Sequence, residues 1–261
     1  MTLLEKYYNK FHEEHRLTTR HGIVEFVTSM HFIKKYAQVA GSTDSIKIAD
    51  IGAGTGRYSV ELCHLGYDVT AVELVKHNLE ILRSKHENIK TWQGDARNLH
   101  FLDDNTFDIT LLFGPMYHLH GDENKKKALE EAKRITKPDG IILVAYVMND
   151  YSVISYFFKE HKWSSDVLNS KVSEDFHVIC SEEDLYDYVR LSDMNRINSL
   201  CDVERITVFA PDGPADFMRR ELNEMNEEEF QGFLKYQLAC CERPELLGAS
   251  SHLVDVLKNV K

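Results

Sequence analysis

The sequence predicts an α/β fold built on a mostly parallel sheet. Three observations carry that prediction. Apolar, β-branched runs alternate with segments of helical periodicity between Ile46 and Val147. The run Ile48-Ala-Asp50-Ile-Gly52-Ala-Gly54-Thr-Gly56 leads a strand through three glycines into a helix. The 261 residues are 43% hydrophobic and 28% charged, which suits one large domain with a real core and excludes wholesale disorder. Strand–helix alternation of this kind implies βαβ units with right-handed crossovers.

The elements follow in order. Residues 3–16 and 22–39 read as helices, broken between Leu17 and His21. Ile23, Phe26, Val27, Met30, Ile33 and Ala37 recur at helical spacing. Residues 41–45 are a loop. Strands are expected at Ile46–Ile51, Asp68–Glu73, Ile89–Gln93, Phe107–Phe113 and Ile141–Val147. Helices are expected at Gly56–Leu65, Lys76–His86 and Asp122–Thr136, with Lys137-Pro-Asp-Gly140 as a turn. Beyond Met148 the pattern loosens. Val153–Phe158 reads as helix or cover. Ser181-Glu-Glu-Asp reads as a helix N-terminus, a serine cap followed by acids that the dipole favours. Val203–Phe209 is a strand. Residues 215–241 form one or two acidic helices with Phe230, Phe233, Leu234 and Leu238 inward, and His252–Val260 is a last strand.

Charge is distributed unevenly. Residues 1–159 hold 20 basic and 21 acidic groups; residues 160–261 hold 11 and 21. A net charge of −11 repels phosphate backbones and disfavours a broad nucleic-acid face, leaving Lys125, Lys126 and Lys127 as a local patch. The chain starts without a basic stretch leading into an apolar one, and no run reaches the roughly 18 apolar residues of a membrane span. Its five cysteines include no CxxC pair, and adjacent Cys240 and Cys241 would close a strained ring. These features predict free thiols and a cytoplasmic chain, monomer or homodimer, with no membrane partner.

The glycine turn carries the chemistry. Glycine lets the backbone turn sharply and approach a ligand without a Cβ in the way, and the helix behind it offers free N–H groups. A dinucleotide fingerprint requires G-x-G-x-x-G, but Arg57 stands at its third glycine position. The pattern Asp50-x-Gly52-x-Gly54-x-Gly56 resembles instead motif I of class I S-adenosylmethionine-dependent methyltransferases. Three more segments follow in that family's order. Glu73 ends the second strand, and a carboxylate there accepts both ribose hydroxyls. Gly94-Asp95-Ala96 follows the third strand. Phe107 to Leu119 resembles motif IV with its exit, Phe113-Gly-Pro-Met-Tyr117-His118. That exit is similar to those of bacterial small-molecule methyltransferases, not to the Asn/Asp-Pro-Pro-Tyr/Phe exit of amino-group DNA methyltransferases. Lys137-Pro-Asp-Gly140 resembles the turn before the fifth strand. The resemblance covers residues 46–147.

The resemblance implies a Rossmann-like seven-stranded sheet of order 3-2-1-4-5-7-6, last strand antiparallel, with helical cap insertions. Residues 1–40 would cover the cofactor site, 41–147 form the cofactor-binding core, and 148–261 complete the sheet. The cap would lie mainly at 211–248, with 148–180 as a second cover over the substrate side. Cofactor contacts are implied for Asp50, Gly52, Ala53, Gly54, Gly56 and Tyr58 on the first turn. Glu73, Leu74, Asp95, Ala96, Phe113 and Gly114 complete the set at later strand ends, where open α/β sheets bind ligands.

The implied activity is methyl transfer from S-adenosylmethionine to O or N of a small-molecule acceptor. Proximity does much of that work, and a base is needed only for a protonated acceptor. His118 is the candidate base, Tyr117 orients the acceptor, and His120 and Tyr146 stand nearby. Rival readings are an NAD(P)-dependent oxidoreductase, a non-catalytic S-adenosylmethionine-binding regulator, and a methyltransferase acting on protein or RNA. No metal is expected: His12-x-x-His15 and His118-x-His120 lack a third ligand. Arg16, Arg20 and Glu25 are candidates to fold over the cofactor. The run Glu227-Glu-Glu229 is either a solvated face or an acidic field for a cationic acceptor.

Overall fold

The computed structural model describes residues 3–8, 17–41, 45–164, 171–248 and 250–260. Two N-terminal helices, α1 (Leu3–Tyr8) and α2 (Arg20–Ala40), precede the sheet. Then come β1 (Lys47–Ile51), α3 (Arg57–His64), β2 (Asp68–Glu73), α4 (Lys76–Ser84), β3 (Lys90–Gln93), β4 (Phe107–Leu112), α5 (Asp122–Ile135) and β5 (Thr136–Val147). Helix α6 (Asn149–Ser152) runs into a wider π-helical turn over Val153–Lys159. It is followed by α7 (Leu191–Ser199), β6 (Val203–Phe209), α8 (Arg219–Glu224), α9 (Glu227–Cys240), the short α10 (Pro244–Leu247) and β7 (His252–Asn259). No helix among the described residues is long and apolar enough to cross a membrane.

The seven strands lie in the order β3-β2-β1-β4-β5-β7-β6, as expected. β7 runs antiparallel to both β5 and β6, and the other pairings are parallel. Side chains alternate across the sheet with the period of two that strands impose. Ile48, Ile109, Leu111 and Leu143 face α2 and α3, while Ile51, Leu112, Ile142 and Val144 face α5. Helices therefore cover both faces, and every central strand is buried on both sides, which explains its continuous apolar character. Phe32 of α2 stacks on Phe209 of β6 with ring centroids 3.8 Å apart.

Several elements differ from expectation. Of the helix read over 3–16, residues 9–16, with His12, His15 and Arg16, lie outside the described residues. Ser181 does not start a helix. The Asp184 carboxylate accepts from the Ser181 amide and hydroxyl at 2.9 and 3.0 Å, closing a single turn. The chain then runs extended along the end of β5, where Val189 exchanges backbone bonds with Val147 and Asn149. The Lys137–Gly140 turn sits inside β5 as a bulge: Phe107 pairs with Thr136, and pairing resumes at Ile109 with Ile141. Helix α7 was not expected. Met194 and Ile197 bury it, and the paired Arg190 and Asp193 groups cap its start.

Residues 211–248 pack against α2, and none of them lines the cavity at the strand ends. Val24 of α2 packs with Ala215, Leu222, Phe230 and Leu234. The Arg20 guanidinium donates to the Leu222 and Met225 carbonyls at 3.0 and 2.8 Å, closing the C-terminus of α8, and lies 4.7 Å over Phe230. Arg20 thus braces the helical layer instead of reaching over a cofactor.

Candidate functional site

The site begins at the turn after β1. The Gly52 and Ala53 amides both donate to Val72 O, at 2.8 and 3.0 Å, which pins the turn to β2. Gly52 has φ +86°, and a Cβ there would meet Pro115 Cδ at 2.5 Å, so conformation and space both require glycine. The Gly54 amide donates to Glu73 Oε2 at 2.8 Å, and the Val75 amide donates to Oε1 at 2.7 Å. Glu73 is thereby fixed at the mouth of β2 by charge-assisted bonds. Asp50, wholly buried below the turn, accepts from the Ser59 hydroxyl at 2.6 Å. Burial pushes its carboxyl up to about 6, the Ser59 hydroxyl and amide opposing that shift.

These groups open into one cavity of about 440 Å³. Asp50, Gly52, Ala53, Gly54 and Tyr58 form one wall; Glu73 and Leu74 line it from β2, Asp95 and Ala96 from β3, and Phe113, Gly114, Tyr117 and His118 from β4. Gly56 is the exception. Its φ of +88° starts α3 and its Cα packs under Leu82, so it shapes the turn without lining the cavity. Tyr146 is also absent from the wall and is fully buried in the core on the α5 side of the sheet.

The cavity has lining residues that the sequence reading missed. Asn78 of α4 is buried, and its Oδ1 has no hydrogen-bond partner. A buried acceptor left unmade costs about 1–3 kcal/mol, so an acceptor aimed at a cavity marks a place for a ligand donor. Arg97 forks over Asp95 from Nε at 3.0 Å and Nη2 at 2.6 Å. Burial would raise the Asp95 carboxyl, but the Arg97 bonds hold it below the ordinary range. Asn78 sits in the first turn of the helix after the acid, and Arg97 two residues beyond Asp95; only these short offsets could have signalled them.

Opposite the glycine turn, the wall is aromatic. His118 stacks on Tyr186 at 5.2 Å and touches Tyr117 edge-on at 5.1 Å. Its Nδ1 lies 2.9 Å from Leu185 O and its Nε2 lies 3.0 Å from the Tyr8 hydroxyl. A carbonyl only accepts, so Nδ1 carries the proton and Nε2 accepts from Tyr8. Burial, reinforced by His120 and opposed by Leu185 O, pushes the imidazole down to about 4. His118 is therefore neutral and weakly basic, with both nitrogens engaged, a geometry that suits a wall better than the expected base. His120 Nε2 lies 3.0 Å from Asp184 O. Lys125 is buried against Asp187 and Leu119 O, so the three lysines form no common patch. Together these contacts hold residues 184–187 over the cavity, while Leu3, Leu4 and Tyr8 of α1 line its far side. Among the described residues, Glu25, Asp212 and His252 bring donor atoms within 4.8 Å of one another.

Comparison with known proteins places this geometry. Residues 49–144 match a family model described as a methyltransferase domain. A demethylmenaquinone methyltransferase of Paenarthrobacter aurescens (strain TC1) is 32% identical over 131 residues, 48% of this chain and 50% of the relative. A ubiquinone/menaquinone biosynthesis C-methyltransferase UbiE of Shewanella baltica (strain OS155) is 32% identical over 144 residues, 50% of this chain and 55% of the relative. The chain spans about half the length of the curated relatives it matches. The crystal structure of a SAM-dependent methyltransferase from Methanosarcina mazei superposes with a TM-score of 0.57 at 12% identity, covering 88% of this chain and 97% of the other, a likeness of fold.

Proposed function

We propose that this chain, which belongs to the class I S-adenosylmethionine-dependent methyltransferases, methylates an oxygen or nitrogen of a small-molecule acceptor. One observation carries the reading: groups from the ends of β1, β2, β3 and β4 converge on one cavity. The residues present fit the cofactor. The Gly52–Gly54 turn lines the cavity with backbone at φ +86° and +57°, which glycine adopts without strain. Asn78 Oδ1 awaits a donor. Glu73 and Asp95 offer fixed carboxylate oxygens on separate strand ends.

When bound, S-adenosylmethionine supplies a methyl group on a sulfonium, already a good leaving group. The chain's own part is then to bind, orient and exclude water, and orientation alone can be worth several kcal/mol, on the order of 7–11 at best. The glycine turn and Glu73 would take the polar end and the ribose. The Tyr117, His118 and Leu185 wall, closed by α1, would hold the acceptor. The Shewanella relative's name specifies transfer to carbon, but Tyr8 and Leu185 at the acceptor end lie outside the matched domain of residues 49–144. All five cysteines are free, which supports a cytoplasmic setting.

The test is transfer from methyl-labelled S-adenosylmethionine to a panel of small phenols, alcohols and amines. Label incorporated into at least one hydroxyl or amine is expected. Label found only on carbon overturns the oxygen or nitrogen assignment.

A further inference from the structure

The permanent positive charges on the cavity wall are Arg57 and Arg97, and they are partnered very differently. Arg97 is committed. Its Nε and Nη2 fork over Asp95, and its Nη1 donates to Asn124 Oδ1 at 2.9 Å. Arg57 is not. Among the described residues its guanidinium makes no hydrogen bond and no ion pair. Glu61, one turn further along α3, would be its ordinary partner on a helix surface. The guanidinium carbon lies instead 4.1 Å over the ring of Phe26 of α2. A ring face holds a cation in place without consuming its N–H donors, so all five donors of Arg57 remain for an anion.

That perch is built into the cavity wall. The Phe26 ring lies 5.2 Å from that of Tyr58, and the Tyr58 ring lies 5.1 Å from that of Phe113. Tyr58 and Phe113 both line the cavity. Leu17, in the same apolar cluster as Phe26 and Tyr58, lines it too. Arg57 itself opens α3 directly after the glycine turn and is exposed at its outer edge.

Strand order indicates which end of the cofactor meets Arg57. β2 and β3 lie on one side of β1, and β4 lies on the other. Glu73 ends β2 and Asp95 follows β3. A cofactor with its ribose at Glu73 therefore carries its amino-acid end over the β1 turn, beside the start of α3. That end bears the carboxylate of S-adenosylmethionine. Asp50, Glu73 and Asp95 add only acidic groups to this part of the wall. A carboxylate entering there is repelled unless a cation receives it. An arginine fork matches a carboxylate with two parallel bonds, the strongest arrangement open to the pair.

We propose that Arg57 is the carboxylate receptor of the site: from its place over Phe26, its guanidinium pairs with the α-carboxylate of the bound cofactor. The inference rests on the methyltransferase reading. It gives Arg57 a role in binding and none in the transfer step. It also makes the site selective for adenosyl ligands that keep the amino-acid carboxylate.

The test is titration calorimetry with two ligands, neither of which requires turnover. One is S-adenosylhomocysteine. The other is S-adenosyl-3-thiopropylamine, the same molecule without its carboxylate. Wild type should bind the first about 10- to 100-fold more tightly, the scale of hydrogen bonds between charged groups. Arg57→Gln should weaken S-adenosylhomocysteine by about 10-fold or more and leave the decarboxylated ligand within about threefold of wild type. Arg57→Lys, which keeps the charge but not the fork, should fall between them. Unchanged S-adenosylhomocysteine affinity in Arg57→Gln overturns the proposal, as does an equal loss for both ligands, which marks a structural prop. Wild type that binds the two ligands alike overturns it without any variant, so the outcome does not depend on Arg57→Gln folding. A third arm follows transfer from labelled S-adenosylmethionine to 4-hydroxybenzoate, glycine, phenol and benzylamine. Arg57→Gln that keeps its S-adenosylhomocysteine affinity but loses transfer only to 4-hydroxybenzoate and glycine overturns the proposal in favour of an acceptor carboxylate. Wild type that binds neither adenosyl ligand defeats the underlying methyltransferase reading instead.

Discussion

Asp50 and Glu73 are both carboxylates at the ends of adjacent strands, held by different partners. Asp50 is sealed below the glycine turn with the Ser59 hydroxyl and lies at about 6. A carboxyl whose pKa rises on folding stabilises the fold below its unfolded pKa, and that stability is lost as pH climbs through about 6. Asp50→Asn is uncharged at any pH. It should raise the stability of the cofactor-free protein at pH 8 by up to about 3 kcal/mol, the gap narrowing as pH falls below about 6, as thermal denaturation will read. Glu73 has its two oxygens on the Gly54 and Val75 amides. Glu73→Ala should weaken S-adenosylhomocysteine by roughly 10-fold or more, the scale of lost charge-assisted bonds; unchanged affinity defeats the ribose role. Gly52, Glu73, Asp95 and Phe113 were legible because each sits where a strand ends, and strand ends follow from local pattern. Asn78 and Arg97 were not, because their roles depend on where a polar side chain points from an ordinary helix or loop.

At the scale of elements, the glycine-led βα units could be read directly, since β1, β2 and β4 are largely buried runs. Helix α7 could not, because only Met194 and Ile197 mark its inner face among Ser, Asp, Asn and Arg. Ser181 misled for a physical reason: a hydroxyl and a carboxylate three residues apart satisfy the same amides in a lone turn as in a helix cap. Arg20 connects two elements that no local pattern relates. Arg20→Ala should lose both bonds to the end of α8 and the contact with Phe230, lowering stability by about 1–2 kcal/mol in urea unfolding. Cofactor affinity should not change, because Arg20 does not line the cavity.

Across the whole molecule, the acidic C-terminal portion is divided between two roles. Glu227, Glu228 and Glu229 occupy the first turn of α9, where the helix dipole favours them and Asn226 with Glu229 closes a capping box. Neutralising all three to Gln should leave turnover within about twofold and reduce stability by about 1 kcal/mol. Asp212 and Asp216 are instead carried inward beside β7. Composition located the charge excess in the last hundred residues, but only packing against α2 decides which acids face solvent and which are buried. The central claim is that the strand-end cavity holds S-adenosylmethionine, and titration calorimetry with S-adenosylhomocysteine addresses it most directly. One molecule should bind per chain, and Gly54→Val, which crowds the turn, should abolish binding while the protein remains folded. No heat with S-adenosylhomocysteine, together with tight binding of a nicotinamide dinucleotide, would contradict the account.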